Sequence, residues 1–68
     1  MELNSKQKKL IVKMIKEDGI NSVDELGLNE MEMIAKKGDK YQSPEANKYE
    51  LDHVVNVFIQ KNLSKIRK

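Results

Sequence analysis

The residues best placed to do chemistry stand together at Glu50-Leu51-Asp52-His53. A Glu-x-x-His at i, i+3 sets a carboxylate and an imidazole on one helix face, the ligand spacing of carboxylate-bridged di-metal bundles. Such a centre takes a second Glu-x-x-His and further inward-facing carboxylates, and this chain carries one copy. His53 is the single histidine, and there is neither a cysteine nor a G-x-S-x-G turn to present a nucleophile to it. On a helical wheel it lies roughly opposite the apolar stripe of its own helix, the position of a solvated side chain. Three isolated glycines, Gly19, Gly27 and Gly38, do not make a phosphate-cradling loop. The expectation is a protein that is not an enzyme and takes no metal or cofactor.

The helix bearing this motif resembles in part those of the helical nucleotide pyrophosphohydrolases, whose paired acidic motifs bind magnesium. That resemblance implies a Glu-x-x-Glu on a preceding helix. Glu30 and Glu32 instead stand two apart and point to different sides. The resemblance ends with the one helix and brings no catalytic set.

Nucleic-acid binding is the next chemistry to weigh. Leu10 to Gly38 reads as helix, glycine, short helix, glycine, helix, the outline of a helix-turn-helix. Its second helix would open Asn29-Glu30-Met31-Glu32, setting two carboxylates against a polyanion. Tyr41 and Tyr49 are available for base stacking but lack basic interleaving. A basic-face reading has more support, because charge is unevenly distributed. Residues 1–18 carry a net +2, 19–35 a net −4, 36–52 balance, and 53–68 carry +4. Lys9 and Lys13 on the first helix could then join Lys61, Lys65, Arg67 and Lys68 in one cationic patch. The total of +2 is itself too balanced to require such a partner.

The remaining clue is apolar. Val12, Met33 and Val57 each sit well away from the apolar face of their helix, where the pattern calls for a polar residue. Isolated exposed apolar side chains are ordinary. Three that converge would suit helix-in-groove docking or self-association. Asn62 is the converse, a polar residue inside the fourth helix's apolar stripe, read either as a fraying end or as a registry point in a helix–helix interface.

The elements that must position these residues are legible from their punctuation. Ser5 can cap a first helix running to about Asp18, with Gly19 as the left-handed residue beyond it. Ser22 and Glu25 have the S-x-x-E spacing of a capping box over a short helical turn that Gly27 ends. Asn29 caps a third helix from Glu30 to Lys37, acidic at its start and basic at its end. Ser43-Pro44-Glu45 opens a fourth, from Pro44 to about Ile66. No strand or hairpin pattern appears, so the fold is expected to be all-α: a small bundle of three short helices packed on one long C-terminal helix. Its expected core is Leu10, Ile11, Met14, Ile15, Ile20, Val23, Leu26, Leu28, Met31, Ile34, Leu51, Val55, Phe58, Ile59 and Leu63.

Size and composition bound the rest. Sixty-eight residues make one small domain, with frayed ends expected at about 1–4 and 66–68. Apolar runs reach three residues at most, far below the ~20 needed to span a bilayer, so no membrane partner is expected. The absence of cysteine and of an apolar leader fits the cytoplasm. Many Asn and Lys with few Ala and one Arg point to an A/T-rich bacterial or bacteriophage genome. By elimination, the sequence reads as a small regulator or adaptor whose partner is another protein, docking through Val12, Met33 and Val57. Nucleic acid is the alternative partner, and a homodimer through the long helix is compatible with either.

Overall fold

The computed structural model describes residues 2–38 and 48–67. Helical residues make up 79% of these and none of them lies in a strand, so the fold is all-α. The order is α1 (Ser5–Lys13), one π-helical turn (Met14–Asp18), one 3-10 turn (Val23–Glu25), α2 (Leu28–Lys36) and α3 (Lys48–Ile66). The expected start of the last helix at Ser43-Pro44 lies outside the described residues.

The first helix ends where its glycine predicts. Gly19 adopts φ 70°, ψ 26°, the left-handed geometry that costs other residues about 1 kcal/mol or more. Its start differs from expectation. Asn4, not Ser5, is the N-cap: Asn4 Oδ1 accepts from the Gln7 N–H at 2.8 Å, and the Asn4 N–H donates to Gln7 Oε1 at 2.9 Å. Asn4 wins because the residue three beyond it can reach back and accept, whereas the residue three beyond Ser5 is Lys8, which only donates.

Two further caps differ. Ser22 is extended and makes no side-chain cap, and the Glu25 carboxylate accepts instead from the Asn21 N–H at 2.6 Å. α2 is capped by Gly27, with no side-chain acceptor, and starts two residues before the expected Glu30. Leu28 thereby becomes its first residue, a turn ahead of Met31 where the helix enters the core. It is 74% exposed, so its assignment to the core is incorrect.

The core gathers Ile11, Met14 and Ile15 with Ile20, Met31, Ile34 and Ala35 and, from α3, Leu51, Val55 and Ile59. Each fully buried aliphatic side chain contributes roughly 1.5–3 kcal/mol. Leu10, Val23, Leu26, Phe58 and Leu63 pack against this cluster while keeping part of their surface in water. α1 packs on both α2 and α3, and the π and 3-10 turns pack on α3. At the far end of α3, Arg67 Nη2 donates to Ile20 O at 3.4 Å and Gln60 Nε2 to Asn21 O at 3.4 Å. Both bonds hold the chain just after Gly19 to α3. No described helix is long and apolar enough to cross a membrane.

Candidate functional site

A groove of about 410 Å³ runs between α3 and the start of α1. α3 supplies two adjacent rows at i, i+4, i+8 spacing: His53, Val57 and Lys61 outside, Val54, Phe58 and Asn62 inside. Eight residues of helix rise about 12 Å, which sets the groove's length at roughly two helical turns. Glu2 and Leu3, just ahead of α1, and Lys8 in its second turn form the facing wall.

The floor is apolar. Leu3, Val54, Val57 and Phe58 are all half-buried. Leu3, Val54 and Phe58 also pack against the core, and Val57 does not. Among the described residues, the core cluster accounts for three of these side chains, and half-buried Val57 lies outside it. The polar edge is formed by Lys8 and Lys61, one from each wall, with Glu2, His53 and Asn62. Asn62 Nδ2 donates to Phe58 O at 2.8 Å, one turn back on its own helix, so its place in the apolar stripe is satisfied locally.

The α1 wall is fixed from behind. Gln7 is only 4% exposed and bonded at both ends of its amide: its Oε1 accepts from the Asn4 N–H, and its Nε2 donates to Ile34 O at 3.0 Å near the end of α2. Asn4 Nδ2 donates to Lys37 O at 2.9 Å. The amide of Gln7 comes this close because Gly38 has no side chain; a Cβ there would lie 3.1 Å from Gln7 Nε2 and 3.2 Å from Ala35 O. This polar joint ties the start of α1, which carries Leu3 and Lys8, to the end of α2.

The sequence-derived candidates scatter around this groove. Val57 lines it, whereas half-buried Val12 and 49%-exposed Met33 lie outside its lining. Of the cations, Lys61 lines it. Lys9, Lys13 and Lys65 are exposed, with Lys13 Nζ 3.9 Å from Glu17 Oε2. Arg67 is occupied with Ile20 O, and Lys68 lies outside the described residues. Glu50 and His53 are both exposed on α3, and among the described residues no three His, Cys, Asp or Glu gather as metal ligands. Sequence reasoning missed Leu3, Lys8, Val54 and Phe58 as site residues. The i, i+4 rows of α3 were there to be read, but nothing local joins them to a wall some fifty residues earlier. Comparison with protein-family models, curated proteins and solved structures finds no match to this chain.

Proposed function

We propose that this chain is a small non-catalytic cytoplasmic regulator or adaptor that binds another protein through the groove between α1 and α3. In this reading the short elements form a scaffold laid on the long C-terminal helix, and Val57 is the anchor of the contact. The observation that carries it is half-buried Val57, which lines the groove outside the core cluster of the described residues and is flanked by three apolar side chains that pack on that cluster. Apolar surface left in this way, with a charged edge, is the usual form of a groove for an amphipathic helix.

The test compares Val57→Asp with Met33→Asp, each tagged and used to capture partners from the host lysate with and without nuclease. Val57→Asp is expected to lose a nuclease-resistant partner while keeping its helical circular dichroism, and Met33→Asp to retain it. Loss in both variants, or in neither, would remove the groove from the reading. A partner that disappears with nuclease, and whose binding falls steeply between about 50 and 200 mM salt, would favour the basic-face alternative through Lys9, Lys13, Lys61, Lys65, Arg67 and Lys68.

A further inference from the structure

We infer that the occupant of the groove is a short acidic amphipathic helix of another protein, about two turns long, with an apolar pair at i, i+4 and carboxylates set against Lys8 and Lys61. The inference rests on the docking reading above and adds the chemistry of the partner.

Three observations support it. The two rows on α3 run for about 12 Å, which matches a partner helix presenting residues at i, i+4 and i+7. The apolar positions Val54, Val57 and Phe58 are central, and the cations stand at the edge. Lys8 and Lys61 line the groove from opposite walls, so each wall offers an acidic side chain a cation. Neither lysine has an acid three or four residues away on its own helix, unlike Lys13 with Glu17 or Lys36 with Glu32. Lys65, four residues beyond Lys61, adds to the positive potential of that edge. Glu2 is the groove's single acidic side chain, leaving the lining residues basic on balance.

A second copy of this chain fits less well. The lining is basic on balance, so a two-fold contact through the same patch would set two surfaces of like net charge against each other. A partner of opposite charge meets the same edge favourably.

The experiment titrates the intact protein with three labelled, helix-stapled peptides that share one apolar i, i+4 pair and differ in carrying Glu, Gln or Lys flanks. Anisotropy gives affinity, and backbone amide shifts locate the contact. The Glu-flanked peptide is expected to bind at least about tenfold more tightly than the Lys-flanked one, with shifts centred on Leu3, Val54, Val57 and Phe58. Lys8→Glu with Lys61→Glu, a surface change that leaves the core intact, is expected to reverse the order. Equal binding of all three peptides would overturn the acidic partner and leave docking in place. No binding by any, with lysate capture still lost in Val57→Asp, would again overturn only this inference. No binding and capture indifferent to Val57→Asp would overturn both. Concentration-dependent self-association that Val57→Asp abolishes would assign the groove to a second copy.

Discussion

α1 and α2 are both nine-residue helices, and they begin in opposite ways. α1 starts in a reciprocal box in which Asn4 and Gln7 satisfy one another, and both side chains then bond the C-terminal end of α2. α2 starts on a glycine with no side-chain acceptor and leaves a leucine in water. Propensity does not separate them. What differs is that the first turn of α1 is also a tertiary joint, and it presents one wall of the groove. A helix start that must hold a surface in place is built with polar groups on both sides of the joint; one that merely opens a helix is left to the core a turn further on.

The largest way to break that difference is Gln7→Ala. It removes the side-chain donor to Ile34 O, which keeps the Lys37 N–H at 3.2 Å, and the acceptor of the Asn4 N–H, and it empties the buried space the amide fills. A loss of roughly 2–3 kcal/mol is expected, read as a lower midpoint in urea denaturation. A loss under about 0.5 kcal/mol would mean that water replaces the amide, and that the joint does not hold α1.

Asn4→Ala comes next, with an expected loss of about 1 kcal/mol, the usual worth of an N-cap. Asn4→Asp separates the two duties of this residue. It keeps the acceptor for the Gln7 N–H and loses the donor to Lys37 O, so most of the stability should return. The groove should nonetheless loosen, seen as weaker binding of the Glu-flanked peptide at nearly unchanged midpoint. If Asn4→Asp is as unstable as Asn4→Ala, the bond to α2 outweighs the cap.

These two residues also mark how far the sequence could be read. The all-α class, the stop of the first helical stretch at Gly19 and most of the core follow from periodicity and punctuation, because each rests on residues a few positions apart. The start of α1 was open to the same reasoning, since Asn4-x-x-Gln7 is a reciprocal pair and Ser5-x-x-Lys8 is not. What was beyond local pattern is that Gln7 is buried. Its partner, Ile34, stands 27 residues away, and nothing around position 7 announces it. The groove has the same character: Val57 was legible as misplaced on its helix, while Leu3 and Lys8 belong to the site only because α1 packs on α3. Leu28 failed for the reverse reason, as an apolar residue whose neighbours suggested a core position that the earlier start of α2 puts in solvent.

The smallest test sharpens the contrast by giving α2 what α1 has. Gly27 has φ −79° and ψ 175°, extended geometry that any residue adopts, and the residue three beyond it is Glu30. Gly27→Ser would supply the S-x-x-E pair of a capping box with its acceptor already near, since a Glu30 carboxylate oxygen lies 2.7 Å from where the new Cβ would stand. That approach is too close to persist, but it involves the tip of a flexible side chain, which can swing aside to accept from the backbone. A gain of a few tenths of a kcal/mol is expected, because glycine is itself a tolerable N-cap. Since α2 lends no residue to the groove's lining, peptide affinity should stay unchanged. A stability gain accompanied by altered affinity would show that the start of α2 is coupled to the groove, through α1, and that the two helix starts are not independent after all.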